Sequence, residues 1–174
     1  MLFRSGTDEL VELHDGTEAV VRPISPADAD ALLRFHSRLS ARTIQLRYFY
    51  PHKHLSPDEV AHLTQVDGVA RVAFVVEHAK ELVAVGRYDR LDDHKVAEVA
   101  FVVVDTYQHQ GFATILLQRL ANTARSVGIT RFTAEVLADN RAMLSVFHDA
   151  GFPTESSMEC GTVELTMRIA HTQG

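Results

Sequence analysis

The sequence predicts an α+β fold, a mixed, mostly antiparallel sheet with a central parallel βαβ unit and flanking helices. Three observations predict it. Short β-branched runs crowd the middle of the chain, at Val72–Glu77, Leu82–Arg90 and Val96–Val104, with only short polar turns between them, as in an antiparallel meander. Phe112, Ile115, Leu116, Leu120, Ala124 and Val127 then recur at helical spacing before a stop at Gly128. Arg131–Leu137 follows as another strand, so strand, helix and strand make one crossover unit whose two strands run parallel.

The remaining elements follow in order. Leu10–Arg22 alternates on either side of His14-Asp15-Gly16-Thr17, and Asp-Gly is a hairpin turn signal. Ser25-Pro26-Ala27-Asp28 sets an N-cap serine before a proline at the first helical position, and Ser56-Pro57-Asp58-Glu59 adds a capping-box glutamate. Between them Leu39–Tyr50 extends or repeats a helix. A later helix opens near Asn140, puts Met143, Phe147 and Ala150 on one face and closes at Gly151. Strands at Phe152–Glu159 and Thr162–Ile169 finish the pattern. No repeat or long linker divides the 174 residues, so one domain is expected over 1–174, with its motif-bearing core at about 17–169. A chain of this length buries roughly 70% of the surface it exposes when unfolded.

Composition excludes several classes. Hydrophobic residues make up 46% and charged residues 23%, an ordinary globular mixture. Lys+Arg 17 against Asp+Glu 23 gives a net charge of −6, the wrong sign for gripping nucleic acid or an anionic membrane surface. No apolar run approaches the roughly 18 residues of a membrane span, and Met1–Leu10 lacks the basic-then-apolar order of a signal peptide. The single cysteine, Cys160, has no internal partner, so a cytoplasmic setting is expected. His52-Lys53-His54 lacks the companions of a metal site and reads as surface; no metal is expected.

The segment Val102-Val103-Val104-Asp105-Thr106-Tyr107-Gln108-His109-Gln110-Gly111-Phe112-Ala113 carries the most chemistry. A buried strand runs through a short polar loop into a helix with Gly111 and Ala113 at its first turn. Amides there lack intrahelical acceptors and the helix dipole adds positive charge, which suits a phosphate. The same spacing also serves a plain strand-to-helix turn. Glu98 shares a strand face with Ala100, Val102 and Val104, so a carboxylate interrupts an apolar stripe, where burial would raise its pKa. On periodicity alone Glu98 reads as a solvated edge residue or a partner for an arginine such as Arg87.

Gln108-x-x-Gly111-x-Ala113 after a valine-rich strand resembles the Q/R-x-x-G-x-G/A signature of the GNAT superfamily of N-acetyltransferases. Asn140-Arg141-Ala142-Met143 through Phe147 to Gly151-Phe152 is similar to that family's later helix, and the element order fits from Thr17 to Ile169. Within the superfamily the chain looks most like the acetyltransferase module of bacterial protein lysine acetyltransferases. The matching stretches are Leu39-Ser40, Leu46-Arg47-Tyr48-Phe49, Leu55-Ser56, Leu63-Thr64-Gln65-Val66-Asp67 and Ala97-Glu98-Val99-Ala100-Phe101. Such modules often adjoin a cyclic-nucleotide-binding or acyl-CoA-synthetase-like domain; 174 residues leave no room for either, so regulation by those neighbours is not implied.

The resemblance implies acetyl-CoA as donor. Main-chain groups of Phe101, Val102 and Val103 would pair with the pantetheine arm like an added strand. Amides of His109, Gln110, Gly111, Phe112, Ala113 and Thr114 would hold the pyrophosphate, and Asn140 would meet the far end of the coenzyme. Glu98, matched to the Ala-Glu-x-Ala-Phe stretch, becomes the general base that takes a proton from the attacking amine, directly or through water. Two departures stand out. Gln110 replaces a common arginine or lysine, leaving backbone amides and His109 to meet the phosphates. Phe147 replaces the tyrosine that many members use as general acid, and it can only pack.

The expected function is therefore acetyl-CoA-dependent N-acetyl transfer by direct attack of an amine, with a protein lysine as one acceptor. The alternatives are a small-molecule amine or amino-acid acetyltransferase and a catalytically silent acyl-CoA-binding sensor. The expected partner is an amine-bearing acceptor, not nucleic acid or membrane, and monomer and homodimer both stay open.

Overall fold

A computed structural model describes residues 8–49 and 51–171. Eight strands form one sheet: β1 (Glu9–Glu12), β2 (Glu18–Pro23), β3 (Arg71–His78), β4 (Glu81–Arg90), β5 (Val96–Val103), β6 (Arg131–Leu137), β7 (Thr154–Glu159) and β8 (Thr162–Arg168). Their spatial order is β1-β2-β3-β4-β5-β6-β8-β7. Only β5 and β6 run parallel; every other neighbouring pair is antiparallel. The helices are α1 (Ala29–Ser37), α2 (Ala41–Tyr48), α3 (Pro57–Thr64), α4 (Phe112–Ser126) and α5 (Arg141–Asp149).

Local chemistry accounts for the element ends. In the first hairpin Asp15 Oδ1 accepts from the amide and the hydroxyl of Thr17, at 2.9 and 2.6 Å, which closes the turn. Ser56 and Glu59 cap α3 reciprocally, as their spacing predicts. The helix expected from Ser25 starts later. Asp28 turns back to the amide of Ser25 at 2.8 Å and takes two bonds from the Arg22 guanidinium, so Pro26–Asp28 forms a 3₁₀ turn and α1 begins at Ala29. The helix read over Leu39–Tyr50 is α2, capped by Ser40 Oγ accepting from the Thr43 amide at 3.1 Å; Tyr50 lies outside the described residues.

The sheet separates two apolar clusters. α4 lays Leu116, Leu117 and Leu120 against Phe74, Tyr88, Val99, Phe101 and Phe132 on one face. On the other, α1–α3 bring Leu32, Phe35, Ile44 and Val60 onto Val75, Val85 and Val102. Strand alternation alone divides these residues between the two faces.

The parallel pair is the feature that makes a site. β5 and β6 are in register only at Val96↔Arg131, Ala97↔Phe132 and Glu98↔Thr133. Beyond Glu98, β5 stays paired with β4 through Val103, while β6 stays paired with β8 through Leu137. The sheet therefore splits into a wedge, closed near Glu98 and open towards the start of α4.

Candidate active site

The wedge is a cleft of about 650 Å³. One wall is the edge of β5 from Val99 to Val103, and the other includes Ala134 and Val136 of β6. Met143, Val146 and Phe147 of α5 line it on one side of the sheet, and Thr43, Leu46 and Arg47 of α2 on the other. The β5 edge has no ladder partner there, so its backbone groups face the cleft.

At the open end the chain leaves β5 through a bond from the Val104 amide to the Val83 carbonyl, makes a 3₁₀ turn over Asp105–Tyr107 and enters α4. His109 and Gly111 both sit in the left-handed region, at φ +66° and +86°. The backbone angle, not crowding, favours glycine at 111, since a Cβ there would meet nothing within 4 Å. The amides of Phe112, Ala113 and Thr114, in the first turn of α4, find no acceptor among the described residues.

This turn is braced from α2. Asp105 accepts from Ser40 Oγ at 2.7 Å, from the Ser40 amide at 3.2 Å and from Thr43 Oγ1 at 2.9 Å. Burial pushes the Asp105 carboxyl up, but the Ser40 and Thr43 bonds outweigh it and hold the group below its ordinary value. Gln108 Nε2 donates to the Val103 carbonyl at 3.1 Å and to Thr43 Oγ1 at 3.3 Å. The first residue of the glycine motif is thus a brace pointing inward.

Nine of the ten residues expected around the coenzyme line the cleft: Phe101, Val102, Val103, His109, Gly111, Phe112, Ala113, Thr114 and Asn140. Asn140 also caps α5, its Oδ1 accepting from the Met143 amide at 3.2 Å. Gln110 is the exception. Its side-chain oxygen accepts from the His14 amide at 3.2 Å, tying the loop to the first hairpin, and it does not line the cleft. Phe147 packs as expected, buried, with its ring centroid 5.8 Å from that of Phe101.

Glu98 requires a correction. It shares the face of Ala100 and Val102, as periodicity predicts, but it is exposed rather than buried. Helices α1–α3 cover the Ala100–Val104 part of that face and leave Glu98 uncovered, so the pKa rise expected from burial has no basis there. It stands at the closed end of the wedge, opposite Asp89 on β4 and Thr133 on β6. His52 also departs from the surface reading, since it is half-buried and bonded to Glu59 at 2.7 Å, while Lys53 and His54 are exposed. Cys160 is exposed in the β7–β8 turn. Among the described residues no group of three or more His, Cys, Asp or Glu side chains gathers as metal ligands, and no helix is long and apolar enough to cross a membrane.

The closed end holds two arginines that the sequence reading did not place in the site, Arg47 and Arg87. Arg47, in the last turn of α2, is half-buried with its guanidinium 4.9 Å above the Tyr48 ring. Burial, with the Arg87 cation adding to it, pushes Arg47 down to about 10, so it stays charged at neutral pH. Arg87 bonds Asp89 at 3.1 Å, while its Nε is buried without a partner among the described residues. A lone arginine in a helix reads as solvated; the one sequence signal at this position is its place in the matching stretch Leu46-Arg47-Tyr48-Phe49, which gave it no role.

Comparisons with known proteins agree with this architecture. The model of the Acetyltransferase (GNAT) family matches residues 39–152. The chain is 31% identical over 150 residues to Acetyltransferase PA5475 of Pseudomonas aeruginosa, covering 83% of this chain and 81% of that protein. It is 31% identical over 147 residues to Acetyltransferase Pat of Mycolicibacterium smegmatis, covering 81% of this chain but 43% of that protein, so it spans less than half of that relative. The crystal structure of the GNAT domain of S. lividans PAT superposes with a TM-score of 0.87 at 38% identity, covering 96% of this chain and 99% of that one.

Proposed function

Because the chain belongs to the GNAT acetyltransferase family, we propose that the β5–β6 cleft holds acetyl-CoA and that the protein transfers the acetyl group to an amine. One observation carries the reading: a β5 edge left unpaired from Val99 to Val103 leads to free amides at the start of α4. The cleft fits such a donor, with apolar walls for the thin pantetheine arm, backbone groups for its amides, and open space at Gly111.

In this reading the main chain of Phe101, Val102 and Val103 pairs with the pantetheine arm as an extra strand would. The amides from His109 to Thr114 receive the pyrophosphate, Gln110 contributing its main chain only, and Asn140 borders the far end of the coenzyme. When bound, acetyl-CoA supplies a thioester whose carbon takes the amine nitrogen as the C–S bond breaks and the sulfur leaves with the electron pair. Glu98 accepts the proton that the amine must lose, through water, from its exposed place at the closed end. Phe147 keeps the wall packed and moves no proton.

The acceptor proposed is a protein lysine, a reading supported by the likeness to the PAT domain over nearly the whole of both chains. A cytoplasmic site fits a chain with one cysteine. Release of free thiol from acetyl-CoA, measured against small amines, lysine peptides and intact proteins, tests the whole reading. Amine-dependent release, fastest with a protein, is expected. Tight acetyl-CoA binding with no release across the panel would make the protein a sensor of acyl-CoA instead.

A further inference from the structure

Arg47 is a charge without an assigned task. It reaches the cleft from the last turn of α2, half-buried, and makes no hydrogen bond or ion pair among the described residues; its guanidinium lies 4.9 Å from the centre of the Tyr48 ring. Asp89, the nearby carboxylate that could have paired with it, is taken by Arg87 at 3.1 Å. A guanidinium held out of bulk water beside a second cation is costly unless an acceptor meets its N–H groups.

Position says which acceptor. α2 begins at the open end, where Thr43 braces Asp105 and Gln108, and runs towards the closed end, where Arg47 lies within electrostatic reach of Glu98 and Asp89. The other basic side chains lining the cleft, His109 and Arg141, flank the starts of α4 and α5 at the open end. Arg47 is therefore the cleft cation at the end opposite the phosphates. It borders both the cleft and a small cavity of about 30 Å³ beside Ala100 and Val102.

We propose that Arg47 donates a hydrogen bond to the acyl carbonyl oxygen of the thioester donor, so that the protein distinguishes acylated from free coenzyme. The fixed cation also faces the oxygen on which negative charge gathers as the amine attacks, where a pre-oriented donor is worth most. This rests on the acetyl-CoA reading of the cleft.

Calorimetry tests it without knowledge of the acceptor. The probes are acetyl-CoA, CoA and S-ethyl-CoA, a thioether of matching length that lacks the carbonyl. The unmodified protein should bind acetyl-CoA roughly 10- to 100-fold more tightly than either of the others, the size of one charge-assisted bond. Arg47→Met should erase that preference while CoA affinity stays within about twofold, and Arg47→Lys should restore part of it. Equal affinity for acetyl-CoA and S-ethyl-CoA in the unmodified protein overturns the proposal and needs no mutant to fold. So does an Arg47→Met protein that loses acetyl-CoA and CoA affinity alike, which would give the side chain a packing role. An unmodified protein that binds none of the three probes removes the acetyl-CoA reading itself, and Arg47's task with it.

Discussion

The two ends of the cleft are built by different means. At the open end the proposed working groups are backbone amides, supplied by one contiguous stretch from His109 to Thr114, with the preceding turn held by Gln108 and Asp105 against α2. At the closed end they are side chains from three elements: Arg47 of α2, distant in sequence, and Arg87 and Asp89 of β4 with Glu98 of the neighbouring β5. Binding a phosphate needs only a fixed turn with free amides. Moving a proton and polarising a carbonyl needs charges brought together by tertiary packing. The open end should therefore fail in affinity when damaged, and the closed end in rate.

Glu98→Gln should break the comparison most visibly. Turnover should fall by about 10²-fold near neutral pH, equivalent to roughly 2.7 kcal/mol, with acetyl-CoA affinity nearly unchanged. The loss should shrink at high pH, where the amine arrives already deprotonated. A pH-independent loss, or an equal loss of affinity, would take Glu98 out of proton transfer.

Gly86→Ala probes the wall shared by both ends. A Cβ at Gly86 would lie 2.7 Å from Phe101 Cδ1 and 3.1 Å from Leu116 Cβ, so the Phe101 ring or the strand must shift. A destabilisation of about 2 kcal/mol by urea titration is expected, and an unchanged midpoint would mean that the Phe101 ring gives way freely. Asp105→Ala acts at the open end alone. Losing the bonds from Ser40 and Thr43 should cost about 1 kcal/mol and weaken acetyl-CoA severalfold, leaving turnover at saturating donor close to that of the unmodified protein.

The smallest effect concerns acid. The Asp28 carboxyl, pushed up most by burial but held down by the bonds from Arg22 and Ser25 together, lies below its usual 3.8, as does that of Asp105. A carboxylate depressed in the folded state contributes stability above its unfolded value and loses it as pH falls through the folded one. The melting temperature should accordingly hold between about pH 7 and 5 and drop below about pH 4, and Asp28→Asn should flatten that drop.

This division also explains what could be read from sequence. The Arg131–Leu137 strand, the α3 cap and the Gly111 turn are local: capping residues, alternation and one glycine specify them within a dozen positions. The cleft lining at the open end followed because it is largely one segment. Legibility ended where distant residues intervene. Gln110 was spent on His14, 96 positions away. Asp28 delayed α1 by pairing with Arg22. Glu98 has the right face but not the burial, because period-two alternation shows which side a residue faces and not how far the helices above it extend. Arg47 fell in a matching stretch but was given no role, since its setting exists only when α2 lies on β5.

Calorimetric titration of acetyl-CoA into a folded Gly111→Asp protein tests the central claim most directly, that the donor enters at the amino end of α4. Asp adopts the left-handed angle at a modest cost of about 1 kcal/mol, and no protein atom lies within 4 Å of the added Cβ, so the fold should persist. Its carboxylate would stand where the pyrophosphate is received, and affinity should fall by more than about 100-fold, beyond the roughly 2.7 kcal/mol that separates a bound donor from a lost one. Unchanged affinity in that protein would contradict the account and put the coenzyme elsewhere.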